Sequence, residues 1–339
     1  MLNSIQFLRA FAAWIVVLHH YVQLSGNKES NIVTAFLYNY GSIGVDIFFI
    51  ISGFVIYAST SNKTISPKEF AIHRIARIVP AYWLYTLITA LTIIMAPSIM
   101  PALGISLEFL LKSMLFLPAQ NPSGLGLFPV LSVGWTLNFE AVFYLIFALS
   151  LLTPKYLLSA GLFIGIVLIQ TFAPKLGGSF AFYGTPIIYN FLFGVFIAEI
   201  YKRGYHHSIS TSIAILIFAI SIIVIAMSSF VDHNPLRIGL PCTAIMLALI
   251  SQEPRFSEKR KINKLGDWSY STYLSHPIII FYVLALQKKT NLDPTMALLT
   301  ICAAVLLCSY VSYKYIELPS SGLLKHILQP KIKKLSVPN

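Results

Sequence analysis

The chain has 339 residues, of which 57% are hydrophobic and only 11% charged, and it carries a formal net charge of +12. A soluble domain holds nearer 25% charged residues, so this composition excludes an ordinary soluble globular protein. The apolar residues fall in runs of about twenty rather than at amphipathic spacing, which predicts an all-α polytopic integral membrane protein.

Ten spans are predicted in chain order: 5–24, 38–58, 78–96, 134–152, 157–173, 185–201, 209–228, 236–251, 269–287 and 295–314. Residues 1–24 lack a basic leader and a small-residue cleavage site, so they read as the first span rather than a cleaved signal. The basic residues set the orientation, because cytoplasmic loops carry an excess of Lys and Arg. With both termini cytoplasmic, the inner loops hold Lys63, Lys68, Arg74, Arg77, Lys155, Lys202, Arg203, Arg255, Lys259, Arg260, Lys261 and Lys264, and the tail adds Lys314, Lys325, Lys331, Lys333 and Lys334. The outer loops hold Lys28, Lys112, Lys175, Arg237, Lys288 and Lys289. Seventeen against six explains the basic balance as membrane topology, with no nucleic-acid partner. The expected organisation is a transmembrane domain over 1–320 and a basic cytoplasmic tail over 321–339, in the cytoplasmic (inner) membrane of a cell.

One expected outer loop, 97–133, is long and punctuated by Pro97, Pro101, Pro118, Pro122 and Pro129. Within it Ser106–Leu117 reads as a short helix with Ser106 as N-cap and a Glu108–Lys112 pair at i,i+4. Its remaining residues are apolar, so it is expected to lie in the interface or dip back into the protein as a lid on the acceptor side. Cys242, Cys302 and Cys308 all fall in apolar segments without CxxC spacing, so they read as small core residues rather than disulfides or metal ligands. No nucleotide-loop, nucleophile-elbow or zinc-protease motif is present, and no metal is expected.

Ionisable residues inside spans carry the functional information. An isolated charge at the centre of a span costs about 3 kcal/mol. Arg9 and His20 stand eleven residues apart in the first span and share one helical face, about 16 Å apart along the axis. Two readings stand for them: snorkelling to opposite headgroup layers, or a functional rail. By depth, His20, Asp46 and Glu140 all fall in the outer half, on three different spans. A carboxylate against one imidazole nitrogen fixes the tautomer and raises the basicity of the other. Glu140 is the preferred partner for His20, Asp46 being assigned to the helix turn around Gly44 and Gly53; the rival reading is a helix-to-helix clamp. Arg74 and Arg77 sit at i,i+3 just before the third span, either as membrane anchors or as a phosphate grip. His276 precedes Pro277, which is expected to kink or break the ninth span, and reads as structural. His73, His206, His207, His233 and His326 are placed as solvated or interfacial groups, and Glu317 as the partner of an inner-face cation.

Five separated motifs then become recognisable: Arg9 with ten residues before His20, GVDIFFIISGF at 44–54, RIARIVPAYW at 74–83, GWTLNFEAVFY at 134–144, and LGDWSYSTYLSHP at 265–277. In this order, over nearly the whole chain, they resemble the acyltransferase family 3 of polytopic membrane O-acyltransferases, which includes bacterial exopolysaccharide and lipopolysaccharide O-acetyltransferases. The resemblance implies an acyl-CoA co-substrate used from the cytoplasm, acetyl by default, and a carbohydrate acceptor acylated at or beyond the outer face. It implies that Arg9, His20, Arg74, Arg77 and Glu140 match functional positions, with Asp46, Tyr270 and His276 in support. The chain departs in carrying His19 beside His20, and Ala141 where relatives often have a second acid. No hydrolase-like domain of the kind fused in some members is expected, so the acceptor is expected to be reached directly or through a polysaccharide assembly protein.

The expected mechanism has Arg74 and Arg77 holding CoA phosphates and the pantetheine arm running along the Arg9–His20 face. His20, oriented by Glu140, then takes the proton of the attacking sugar hydroxyl. An acyl-histidine intermediate is the other route. Two rival classes stand beside this enzyme: a transporter or flippase of a polysaccharide or lipid-linked intermediate, and a structural partner in an assembly complex.

Overall fold

The computed structural model describes residues 2–26, 28, 30–61, 63–100, 104–256 and 261–328. Pro101, Lys259, Arg260 and residues 329–339 of the expected tail, with Lys331, Lys333 and Lys334, lie outside the described residues. The side chains of Lys261, Lys325 and His326 do so too. All regular structure among the described residues is helical, as it must be where no water can satisfy a strand edge.

The chain runs through α1 (Asn3–Ser25), α2 (Ile32–Tyr40), α3 (Ile43–Thr60), α4 (Pro67–Met95), α5 (Leu107–Met114), α6 (Trp135–Ser150) and α7 (Leu158–Phe172). It continues through α8 (Asn190–Lys202), α9 (Thr211–Ala226), α10 (Leu240–Ser251), α11 (Lys261–Asp267), α12 (Ser269–Thr290), α13 (Pro294–Ser312) and α14 (Leu318–Leu328). Among the described residues seven helical stretches are long and apolar enough to cross a membrane, or eight with the pair Gly178–Gly184 and Pro186–Lys202, which bends by 48°. The shorter apolar helices Thr211–Ala226 and Pro235–Ser251 correspond to the seventh and eighth expected spans.

Contacts between distant loops show which helix ends lie together. At one end the Asn3 amide donates to Glu253 at 2.6 Å, the Tyr57 hydroxyl meets Glu199, and Thr211 meets Gln252 at 3.1 Å. At the other the Tyr40 hydroxyl donates to the Ser228 carbonyl at 2.7 Å, Tyr21 donates to the Pro294 carbonyl at 3.0 Å, and Val231 N–H pairs with Asn39 O at 2.9 Å. The first set lies beside Lys63, Lys202, Arg203 and Arg255 and is called the basic end below.

Three boundaries differ from the sequence expectation. α4 begins at Pro67, with Ser66 capping Glu69 N–H, so Arg74 and Arg77 stand inside the helix rather than before it. Pro277 neither breaks nor ends α12, which runs unbroken from Ser269 to Thr290. The break falls earlier, at Trp268, between α11 and α12. The lid helix starts where expected, Ser106 accepting from Phe109 N–H with Glu108 and Lys112 paired at 2.5 Å, but stops at Met114 because Phe116 turns to φ 59°. It dips back into the protein. Tyr82 and Trp83 of α4 donate to the carbonyls of Ser113 and Met114 at 2.9 and 2.8 Å, and Phe116 stacks on Tyr82.

α3 is the hub of the bundle because glycines let two neighbours, α1 and α8, approach its backbone. A Cβ on Gly44 would lie 2.3 Å from the Ala12 carbonyl oxygen of α1. One on Gly53 would lie 2.1 Å from Phe191 O of α8, and one on Gly194 of α8 would lie 2.0 Å from Ile50 O. This reciprocal pair gives the close small-residue packing that associates helices in a bilayer. Overfilling it forces the helices apart at a cost of about 1–3 kcal/mol or more. Gly194→Leu is therefore expected to lower the thermal midpoint of detergent-solubilised protein by roughly 5 °C or more. Gly322→Ala, where nothing lies within 4 Å, is expected to leave it unchanged. Fluorescence-detected size-exclusion after a heat ramp reads both.

Candidate active site

A cavity of about 360 Å³ opens between α1, α3, α4, α6 and α12. Its polar lining is Arg9, Ser52, Ser59, Arg74, Arg77, Thr136, Glu140, Tyr144, Ser269, Tyr270 and Tyr273. Three guanidiniums face one carboxylate there, so the lumen favours an anion. Arg9 is only 7% exposed, which rules out snorkelling to the headgroups. It donates to Gln6 Oε1 at 3.1 Å and lies within electrostatic range of Arg77, Asp267 and Glu317. Arg74 lies over the rings of Phe70 and Tyr144, 5.6 and 5.9 Å from their centroids, and its buried Nε has no hydrogen-bond partner. A buried donor left unpaired beside a lumen is a free binding group. The helical spacing that put Arg74 and Arg77 on one face thus delivers both to the cavity wall, with Arg9 as the third member.

Glu140 is in the cavity but not beside His20. One of its oxygens accepts from the Ser52 hydroxyl at 2.7 Å and the Tyr144 hydroxyl at 2.5 Å. The expected Glu140–His20 pair is therefore corrected: residue depth along a helix says nothing of azimuth, and Glu140 faces the arginines. Asp46 is corrected likewise. It does not serve the turn around Gly44 and Gly53 but reaches across to α8 and the loop after α9, accepting from Asn190 Nδ2 at 2.8 Å and His233 Nδ1 at 2.7 Å. The three residues expected at one depth occupy three different places. Glu317 is buried and accepts from Ser271, near Arg9 and Arg77. Tyr270 lines the cavity and donates to Ile78 O at 2.8 Å.

The partner of His20 is His276. Their Nδ1 and Nε2 atoms are 3.0 Å apart, and the ring centroids 5.0 Å. The tautomers follow from carbonyls, which only accept. His276 Nδ1 lies 3.2 Å from Thr272 O, so it carries a proton and leaves His276 Nε2 as acceptor. His20 Nδ1, which also lies 3.1 Å from Val16 O, must then be the donor. That leaves the lone pair of a neutral His20 on Nε2, which has no partner among the described residues. The chain Thr272 O, His276, His20 thus presents one basic nitrogen, the job a carboxylate does in other sites. His19 points elsewhere, with Nδ1 3.0 Å from Leu37 O and its ring stacked on Tyr38, so the imidazole facing α12 is that of His20.

Tyr273 joins the two halves. It lines the cavity, and its ring packs against Phe48 at 5.9 Å on one side and His276 at 5.9 Å on the other. Its hydroxyl is fixed by Val133 O at 2.9 Å and Thr136 at 3.1 Å. The arginine cavity therefore ends at Tyr273 and Phe48, with the histidine pair directly behind them. Sequence reasoning gave His276 only a supporting place and gave Tyr273, Ser52 and Tyr144 none. The signal available for His276 was its position eleven residues beyond Leu265 in a motif shared with Tyr270, and it did not reveal a contact 256 residues away in the chain.

Comparison with known proteins identifies the family. A family model described as an acyltransferase domain, Acyl_transf_3, matches residues 2–314. The exopolysaccharide production protein ExoZ of Rhizobium meliloti is 29% identical over 284 residues, covering 82% of this chain and 89% of that protein. The peptidoglycan O-acetyltransferase OatA of Listeria monocytogenes is 28% identical, covering 93% of this chain but 55% of OatA, so the chain spans about half the length of that relative. The acyltransferase MdmB of Streptomyces mycarofaciens is 25% identical over 83% of this chain and 79% of that one. No solved structure matches. From the family match over nearly its whole length and the helical membrane architecture, the chain belongs to acyltransferase family 3 and is a multi-pass membrane acyltransferase.

Proposed function

We propose that the protein moves an acyl group, acetyl by default, from cytoplasmic acyl-CoA to a sugar hydroxyl of an exported or cell-surface polysaccharide or glycolipid. The basic end then faces the cytoplasm and the protein lies in the inner membrane, in keeping with the excess of basic residues in those loops. The observation that carries this reading is the sequence of groups along one path: three arginines around a cavity, the Tyr273–Phe48 floor, and an imidazole pair behind it.

Arg74 and Arg77, with Arg9 deeper, grip the CoA phosphates through guanidinium forks. Glu140 stays as a fixed counter-charge held by Ser52 and Tyr144, which keeps the guanidiniums apart and oriented. The pantetheine arm runs along α1 toward His20, over the ~16 Å that eleven helical residues provide. His20 Nε2 then takes the proton as the acceptor oxygen attacks the thioester carbonyl. The C–O ester bond forms, the C–S bond breaks, and the imidazolium returns its proton to the departing CoA thiolate. His276 acts as a positioning residue, since it fixes the tautomer of His20 without touching the reacting atoms.

Three outcomes test this. A positioned general base is worth about 10²–10⁴ in rate, so His20→Ala is expected to abolish detectable transfer from acetyl-CoA in proteoliposomes while expression stays intact; near-normal transfer would sink the proposal. Arg74→Gln with Arg77→Gln is expected to raise the KM for acetyl-CoA by about tenfold or more with kcat largely kept, because the lost contacts lie away from the reacting carbon. His276→Phe is expected to lower kcat at least about tenfold at unchanged KM for acetyl-CoA, since His20 is then free to hold the wrong tautomer; a change in KM alone would contradict the positioning role.

A further inference from the structure

An imidazole–carboxylate pair stands at the end opposite the basic loops, within electrostatic range of His19. Asp46 is fully buried in α3, its carboxylate held by the Asn190 amide of α8 and the His233 ring. A buried carboxylate costs several kcal/mol unless it is well partnered, so this pair has a reason to be there. The other member lies on the loop between α9 and α10. His233 takes a left-handed backbone, φ 57°, a region only a few per cent of non-glycine residues occupy, His being among those enriched there with Asn and Asp. The loop is built to hold it: Val231 N–H bonds Asn39 O, Asn234 N–H bonds Asp232 Oδ1 at 3.1 Å, and the Asn234 side chain caps the N–H groups of Leu236 and Arg237. Strain kept in place by several contacts marks functional positions more often than neutral ones.

The chemistry of the exposed face is specific. With Nδ1 spent on Asp46, the Nε2 edge of His233 is the free one, on a side chain 23% exposed. Burial lowers the pKa of this ring, but the Asp46 carboxylate, with Asp232 adding to it, more than offsets that and raises it, so Nε2 spends more of the neutral range as a donor. Six ångströms away, centroid to centroid, lies the half-buried Trp135 ring at the start of α6. Its indole N–H makes no hydrogen bond among the described residues, and its ring also packs against Phe128 of the long loop, Phe49 and Phe139, at 6.3, 6.5 and 6.0 Å. An aromatic face beside a fixed polar edge is suited to a pyranose ring, whose C–H face stacks while its hydroxyls take directed hydrogen bonds.

We propose that Asp46, His233 and Trp135 form the docking subsite for the acceptor sugar, with His233 Nε2 hydrogen-bonding an acceptor hydroxyl and the Trp135 indole lying against the sugar ring. The assignment rests on the acyl-transfer reading above, and it places the acceptor at the end of the bundle opposite the basic loops. Asp46 is a positioning residue here, since it orients His233 and touches no sugar.

The discriminating variant is His233→Asn. Asparagine tolerates the left-handed backbone, and its amide can still donate to Asp46, so the loop and the buried carboxylate stay satisfied while the Nε2 edge is removed. The variant is introduced into full-length protein in a host lacking its own copy. O-acetyl content of the surface polysaccharide is read by proton NMR, and acetyl-CoA Kd and thermal midpoint are read on purified protein. The expected result is a fall in O-acetylation of at least about tenfold with Kd within about twofold and the midpoint unchanged. O-acetylation at the wild-type level overturns the proposal, and so does a fall matched by weaker acetyl-CoA binding or a lower midpoint, which shows His233 to be only a clamp on the loop. A wild type that neither binds acetyl-CoA nor adds acetyl groups is a different result: there the acyltransferase reading fails, and the subsite fails with it.

Discussion

A charge in the middle of a helical bundle has to be matched locally, because the surrounding hydrocarbon cannot do it. At about 3 kcal/mol for each unmatched group, the ionisable residues between the helix ends of this protein would together outweigh an ordinary folding stability. The structure meets that constraint by sorting them. Arg9, Arg74 and Arg77 surround a lumen with Glu140, which is tied to Ser52 and Tyr144. Asp46 is tied to Asn190 and His233, and His20 to His276. What is left over in each cluster is informative: surplus positive charge and an unpaired guanidinium nitrogen in the first, a free imidazole edge in each of the other two.

α3 makes the sorting possible. Gly44 brings α1 against it and Gly53 brings α8 against it, each at backbone contact. With those faces fixed, the remaining positions have one direction each: Ser52 and Phe48 look into the cavity, and Asp46 looks toward α8 and the loop carrying His233. Packing and chemistry are thus one problem in this helix. A side chain at Gly44 or Gly53 would move the phosphate-binding wall and the floor residue Phe48 together.

The sequence made much of this legible, for identifiable reasons. Membrane class follows from runs of apolar residues, and helical spacing alone put Arg74 with Arg77 and Arg9 in line with His20. Those are local relations, within one helix. What could not be read is which side chains meet across helices. Depth along the chain suggested that Glu140 serves His20, yet the partner is His276, 256 residues away, and Glu140 belongs to the arginines. His233 looked like a solvated loop residue because nothing near it in sequence announces Asp46, 187 residues earlier. Pro277 was expected to interrupt α12, but the interruption falls at Trp268 and leaves His276 in continuous helix opposite His20.

The central claim is that one molecule of acyl-CoA spans from the arginine cavity, past Tyr273, to His20. A cryo-electron microscopy structure of the protein with a non-hydrolysable acetyl-CoA analogue tests it most directly. The account predicts phosphate density against Arg74 and Arg77 and the acetyl carbon beside His20 Nε2, with Tyr273 or Phe48 displaced to admit the pantetheine arm. Phosphates bound away from these arginines, or an acetyl group that stops on the cavity side of an unmoved Tyr273, would contradict it.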